Sequence, residues 1–240
     1  MKRRERSGRL AREIPLRSRS ANADRWRQPS ITALLLLLFF LSGITGLVYE
    51  VAWARNAAVI FGSTLHSTST MLAVFMGGLA AGSLFFGWLA DAPKRRPLLY
   101  YAALEAGIGI YALLTPVLFQ FVQTTQNALY GSLPPGHPAF GVTRVLLLGA
   151  VVAPPSIMMG GTFPLVTKFL VTHRSGVGKW VGRLYFVNTL GAVVGTVLTT
   201  FVLIASIGVT WTIYLTAAVN LAIGVSVFLV QRTVSATACN

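Results

Sequence analysis

The sequence predicts an all-α integral membrane protein, a bundle of six transmembrane helices. Only 11% of its 240 residues are charged and 54% are hydrophobic, whereas a soluble domain carries about 25% charged residues. A helix of roughly 20 apolar residues crosses a bilayer, and six stretches qualify, at about 31–55, 68–91, 98–122, 141–171, 183–205 and 209–231. Apolar runs such as 34–41 do not alternate with polar residues, as the strands of a membrane barrel would.

The positive charges predict the orientation of these helices. Ten of the 20 Lys and Arg residues lie within residues 1–28, and residues 123–140 contain none. Most other cations follow the second, fourth and sixth segments: Lys94, Arg95, Arg96, Lys168, Arg174, Lys179, Arg183 and Arg232. Because Lys and Arg accumulate in cytoplasmic loops, both termini are predicted to be cytoplasmic. The chain then divides into a disordered basic tail (1–30), a six-helix transmembrane domain (31–231) and a short cytoplasmic tail (232–240).

The composition argues against several kinds of site. The net charge of +14 is concentrated in the tail and loops, which is typical of topology signals and not of a nucleic-acid-binding face. A single cysteine, Cys239, leaves no internal disulfide or Cys-based metal site. The three histidines lack metal-ligand spacing, and no catalytic triad, P-loop or carboxylate pair is present. We therefore expect the lipid bilayer as surroundings, with no catalytic residue, metal, cofactor or nucleic-acid partner.

Three carboxylates lie beyond the tail, and an ionisable group inside a membrane marks a candidate functional site. Glu105 lies deepest, seven residues inside the third segment. It either binds a substrate or a proton or is held by an internal partner such as a Tyr or Asn side chain. Glu50, near the outer end of the first segment, is either a cation or proton site or a solvated interfacial group. Asp91 ends the second segment before Arg95 and Arg96, and we expect these residues to orient the helices or to latch Asp91 to a neighbouring helix, for example through Arg183.

The fourth segment is the least regular. Its motif holds Pro154, Pro155, Gly160, Gly161 and Pro164 within eleven residues, which predicts a kink or a break. Broken helices often line binding sites in transporters, whereas kinked membrane helices are also common without a ligand. Four polar side chains could face the same interior: Thr162, Tyr185, Asn188 and Asn220.

Pairs of small residues spaced four apart predict close packing between helices. They are Gly77-x-x-x-Ala81, Gly78-x-x-x-Gly82, Ser83-x-x-x-Gly87 and Gly191-x-x-x-Gly195.

Several runs occur together in an order that resembles one protein family. They are FFLSGITGLVYEVAWAR (39–55), FGSTLHSTSTMLAVFMGGLAAGSLFFGWLAD (61–91), LEAGIGIYALLTP (104–116), PPSIMMGGTFPLVTK (154–168) and VGRLYFVNTLGAVVGT (181–196). This set resembles the membrane part of bacterial fused major-facilitator/spermidine synthase-like proteins. The resemblance implies half of a major-facilitator fold in a bacterial inner membrane. Gly87-x-x-x-Asp91 also resembles the loop between helices 2 and 3 of major-facilitator transporters, although Ala92, Pro93 and Lys94 replace the usual glycine and basic residue.

The resemblance also implies a function. In that family a soluble aminopropyltransferase domain follows the membrane part and binds a decarboxylated S-adenosylmethionine-type donor and a polyamine acceptor. Only eight residues follow Arg232 here, so we expect no aminopropyl transfer by this chain alone. The resemblance implies a membrane module that anchors a synthase-type partner or handles its polyamine-type substrate or product. Alternatives are a half-size transporter that pairs with a second copy to move a small cation or amine, and an assembly subunit without a ligand.

Overall fold

The computed structural model describes residues 29–62, 65–91, 96–132, 134, 137–173 and 176–236. No strand occurs in these ranges. The helices are α1 (Pro29–Phe61), α2 (Leu65–Asp91), α3 (Pro97–Ser132), α4 (Ala139–His173), α5 (Val177–Leu198) and α6 (Ile204–Ala236), with a π-helical turn at Thr199–Leu203. The predicted basic tail up to residue 28, Arg95 and Cys239 lie outside the described residues, so the predictions for them stay predictions.

The sequence predicted six membrane-spanning helices, whereas within the described ranges five stretches are long and apolar enough to cross a membrane. The fifth stretch, Val177–Arg232, is 56 residues long and contains the last two predicted segments. These are joined without a loop at Gly208, which leaves the helical conformation at φ 75° and ψ 171° and separates two helices across a kink. This left-handed φ suits glycine, which has no Cβ.

Contacts between helices show that the chain nevertheless reverses direction at Gly208. Helix α5 packs beside α1 and runs parallel to it, since Asn188 meets Gly43 and Gly195 meets Ile44. Helix α6 runs antiparallel to α3, since Gly109 meets Ala217 and Gly224 meets Ala102. Helix α3 in turn runs parallel to α1, as the Trp53–Thr115 contact and the proximity of Ser42 to Glu105 show. Helices α1, α3 and α5 therefore point one way and α6 the other.

Glycine makes the closest helix contacts possible. A Cβ added at Gly82 would collide with the backbone carbonyl of Ile157, and one at Gly160 with that of Leu79, so α2 and α4 lie backbone to backbone. Gly191 meets the Phe40 carbonyl of α1 in the same way. The predicted Gly78/Gly82 and Gly191/Gly195 pairs therefore lie at helix interfaces. The predicted Gly77 pair does not, because a Cβ at Gly77 would meet nothing within 4 Å.

A kink or a break was predicted at Pro154, Pro155 and Pro164, and the fourth helix is continuous through them, so it has no break there. A proline lacks the N–H that normally donates to the carbonyl four residues earlier. For Pro154 and Pro155 those carbonyls belong to Ala150 and Val151. The Tyr111 hydroxyl of α3 lies 3.2 Å and 3.1 Å from these two oxygens and supplies a shared donor. A side chain of a neighbouring helix thus replaces the lost backbone donors.

Helix α3 tolerates Pro116 by a related arrangement. The carbonyl that Pro116 leaves without its helical donor is that of Ala112, and the Thr115 hydroxyl donates to this oxygen at 2.8 Å. The Trp53 indole N–H donates in turn to the Thr115 hydroxyl oxygen at 3.3 Å. Because both side chains are fully buried, this chain of hydrogen bonds ties α1 to α3 at the proline.

The carboxylate of Asp91 is latched to a neighbouring helix, but not through Arg183. Lys168 of α4 forms an ion pair with it at 2.6 Å, whereas the Arg183 guanidinium lies over the Trp180 ring at 5.6 Å. The parallel packing of α2 and α4 brings residues 91 and 168 to the same end of the bundle. Both side chains are largely exposed, and exposed pairs contribute only about 0–1 kcal/mol, so the ion pair does not hold the two helices together by itself.

We predict that Gly82→Ala destabilises the protein. The added Cβ forces α2 away from the Ile157 carbonyl, and overpacking of this kind costs about 1–3 kcal/mol. The measurement is the thermal unfolding midpoint in detergent micelles. Gly77→Ala on the same helix is the matched control, because its Cβ meets nothing within 4 Å. Equal midpoints for the two variants would contradict the close packing of α2 on α4.

We also predict that Thr115→Val lowers the unfolding midpoint. The valine leaves the Ala112 carbonyl and the Trp53 N–H without their partner, and each unsatisfied buried group costs about 1–3 kcal/mol. Thr124→Val on the same helix is the control, since that exposed hydroxyl donates only to Gln120 of its own helix. If both variants unfold at the same temperature, Thr115 does not compensate for Pro116.

Candidate functional site

A cavity of about 370 Å³ lies inside the bundle, and every helix contributes to its wall. Its polar lining residues are Ser42, Thr45, Ser83, Thr162, Tyr185, Asn188 and Asn220. Its apolar lining residues are mainly Leu47, Phe75, Leu79, Ile108, Met159 and Phe163. The wall therefore combines polar and apolar side chains.

A buried pair of polar residues lies at this cavity. Asn220 of α6 lines the wall, and its amide Nδ2–H donates to the Glu105 carboxyl Oε2 of α3 at 2.6 Å. Glu105 does not itself line the cavity, so it lies behind Asn220. The two side chains are 0% and 1% exposed. The contact arises because α3 and α6 pack antiparallel through Gly109 and Gly224, which brings residues 105 and 220 to the same level.

Several atoms around this pair have no hydrogen-bond partner. They are the second carboxyl oxygen of Glu105, the carbonyl Oδ1 of Asn220 and the hydroxyls of Tyr49 and Tyr101. The side chains of Ser42 and Tyr101 lie next to the Glu105 carboxyl, but only the Asn220 amide makes a well-formed hydrogen bond with it. Among the described residues no Lys or Arg pairs with Glu105. Glu105 Oε1 and Asn220 Oδ1 are acceptors, whereas the two tyrosine hydroxyls can donate or accept. The site therefore holds unpartnered polar atoms and an acid with no Lys or Arg beside it.

The structure brings three of the predicted binding residues together. Thr162, Tyr185 and Asn188 all line the cavity, and Glu105 lies behind its wall. Glu50 does not line the cavity, although it is half-buried on α1. The internal asparagine partner expected as one alternative for Glu105 is Asn220.

The irregular motif of α4 contributes only in part. Gly160 lines the cavity, whereas Gly161 packs against Phe86 and Leu104. Because Pro164 has no N–H, the Gly160 carbonyl lacks its usual helical donor at this wall. Pro154 and Pro155 do not line the cavity and interact instead with the α3 interface through Tyr111.

The residues predicted to orient or gate the bundle lie away from the cavity. Asp91 pairs with Lys168 at the end of α2, and Arg183 lies over Trp180. Arg96 precedes α3, and its carbonyl accepts hydrogen bonds from the first-turn N–H groups of Leu99 and Tyr100. None of the three lines the cavity.

Sequence reasoning missed Ser42 and Thr45. Both line the cavity from α1, in the run Ser42-Gly-Ile-Thr45-Gly46. Small polar residues and glycines inside an otherwise Leu-rich helix were the available signal, since such residues mark helix interfaces in membranes. In the described part of the chain no three His, Cys, Asp or Glu residues are grouped as metal ligands.

Comparisons with curated proteins identify relatives over most of the chain. A polyamine aminopropyltransferase of Mycobacterium tuberculosis is 30% identical over 222 residues, which are 88% of this chain and 38% of that protein. The chain is a distant homologue of polyamine aminopropyltransferases. Polyamine aminopropyltransferase 1 of Streptomyces coelicolor is 26% identical over 163 residues (68% of this chain, 27% of that protein). Polyamine aminopropyltransferase 2 of Ralstonia nicotianae is 23% identical over 193 residues (80% and 34%).

The chain therefore spans less than two fifths of the length of these relatives. No protein-family model matches it, and no solved structure matches its fold. The likeness to half of a major-facilitator fold stays a prediction, as do the orientation of the termini and the kind of membrane.

Proposed function

We propose that the chain is the membrane module of a spermidine synthase-like protein and that its cavity holds the polyamine-type substrate or product of that protein. The observation that carries this proposal is the cavity, with Asn220 in its wall and Glu105 behind it. The homology to polyamine aminopropyltransferases supplies the class of ligand. A polyamine carries ammonium groups on an aliphatic chain, which suits a wall of both polar and apolar side chains. Catalysis is not assigned to this chain alone.

Anchoring of a synthase-type partner is the other role of such a module. Anchoring needs no cavity. If the chain anchors a partner, we expect that partner to leave the membrane fraction when this chain is deleted. A half-size transporter that pairs with a second copy is the alternative function. In such a dimer the pathway runs between two copies, whereas here all six helices of one copy line the cavity. A cavity lined by one copy favours a module that binds its ligand within one chain.

We predict that filling the cavity blocks binding of 1,4-diaminobutane. Gly46 lines the cavity, and a Cβ there meets nothing within 4 Å, so the side chain in Gly46→Phe enters open space. Calorimetric titration of the protein in lipid nanodiscs should show binding weakened at least about tenfold, or about 1.4 kcal/mol. Gly77→Phe is the matched control, because its side chain also has room but lies outside the cavity.

Two results would overturn this proposal. One is that the unaltered protein does not bind the diamine. The other is that Gly46→Phe binds it as tightly as Gly77→Phe does. Transport is tested separately in proteoliposomes, where the transporter alternative expects amine flux that Glu105→Gln abolishes while the chain still inserts. Binding without flux favours the membrane module.

A further inference from the structure

Three side chains of the cavity wall present acceptor oxygens. Asn220 donates its amide N–H to Glu105, and its carbonyl Oδ1 has no hydrogen-bond partner. The hydroxyls of Thr45 and Thr162 donate to the backbone carbonyls of Ser42 and Met159, at 3.0 Å and 2.7 Å. A hydroxyl has one proton and two lone pairs, so both threonines present acceptor oxygens to a ligand. This arrangement is complementary to a hydrogen-bond donor.

The cluster also contains an acid without a Lys or Arg partner among the described residues. An ionised carboxylate buried without a positive partner is costly, since the apolar interior replaces its hydration. Glu105 has a neutral amide as its hydrogen-bond partner and no Lys or Arg among the described residues. A cation held by Asn220 Oδ1 lies on the far side of the amide from Glu105. The amide then connects the two charges, donating to the carboxylate and accepting from the cation.

One buried acid favours one buried cation. Among the described residues Glu105 is the acid that contacts a residue of the cavity wall, Asn220, whereas Asp91 pairs with Lys168. The wall also contains aliphatic and aromatic side chains, as at Phe75 and Ile108. Such side chains accept methylene groups.

From this geometry, and resting on the function proposed above, we infer that the cavity binds one primary ammonium group with a short aliphatic chain. The ammonium N–H donates to Asn220 Oδ1, and Glu105, which lies behind that amide, balances the ammonium charge. Asn220 is the residue that touches the ammonium, and Glu105 is a positioning residue and counter-charge. A diamine then binds by one end only. The same ammonium chemistry occurs in soluble amines and in the headgroup of phosphatidylethanolamine.

The test compares n-butylamine with 1-butanol, which has a similar chain and no charge. Binding is measured by calorimetry on the full chain in nanodiscs of phosphatidylcholine and phosphatidylglycerol, which contain no primary amine. We expect n-butylamine to bind at least about tenfold more tightly than 1-butanol, because hydrogen bonds to charged groups are the stronger ones. This selectivity needs no variant. Equal affinity for the two probes would overturn the inference.

Variants assign the selectivity to the two residues. Glu105→Gln keeps an oxygen that accepts from Asn220 but removes the charge, and we expect it to weaken n-butylamine binding about 10- to 100-fold and to leave 1-butanol unchanged. Asn220→Leu should weaken n-butylamine binding to a similar extent. Thr216→Val is the control on α6, since this buried hydroxyl donates to the Thr212 carbonyl of its own helix. Amine binding by Glu105→Gln at the level of Thr216→Val would contradict the inference.

The outcomes separate this inference from the proposed function. If 1,4-diaminobutane binds but neither variant changes its affinity, the inference fails and the proposed function stands. If no amine binds, both fail. Nanodiscs that contain phosphatidylethanolamine identify the source of the ammonium. If this lipid competes with n-butylamine, the site is supported and its ligand is a lipid headgroup. If n-butylamine binds equally well in the presence of this lipid, the site is supported and its ligand is a soluble amine.

Discussion

A polar group inside a bilayer finds no water, so each one without a partner costs several kcal/mol. This constraint explains why helices with four internal prolines remain continuous here. The prolines at 154 and 155 would expose two carbonyls, and the Tyr111 hydroxyl of another helix donates to them. Pro116 would expose the Ala112 carbonyl, and Thr115 covers it with support from Trp53. The tertiary packing of the bundle thus depends on donors placed beside the prolines.

The same constraint makes the exceptions informative. Among the described residues eight buried side-chain atoms have no hydrogen-bond partner, and four of them belong to Tyr49, Tyr101, Glu105 and Asn220. All four residues lie around one carboxyl, next to a cavity that one of them lines. Buried ionic groups are weak contributors to stability, so the proposed ammonium ligand gives the acid at this position a role that stability does not.

The sequence predicted the apolar helices and indicated candidate residues, but it did not predict how the helices pack against one another. Glu105 stood out because so few acids lie inside apolar segments, and an asparagine was one of its expected partners. The continuity of α4 could not be predicted, because the donor that permits it, Tyr111, lies about 40 residues away in sequence. The boundary predicted between the last two segments, at 205–209, is where a single residue, Gly208, makes the turn. Which side chains reach the cavity depends on helix rotation, which composition does not specify.

The cavity follows from how small residues distribute the close contacts. Glycines hold α1 against α5 and α2 against α4 at backbone distance, through Gly191 in one pair and Gly82 in the other. Between these two pairs the helices touch at few places, and the cavity lies there. Helices α3 and α6 carry Glu105 and Asn220 as a fixed wall behind it. In the proposed site, a ligand that contacts Asn220 and Thr162 touches both the α3–α6 wall and the α2–α4 pair.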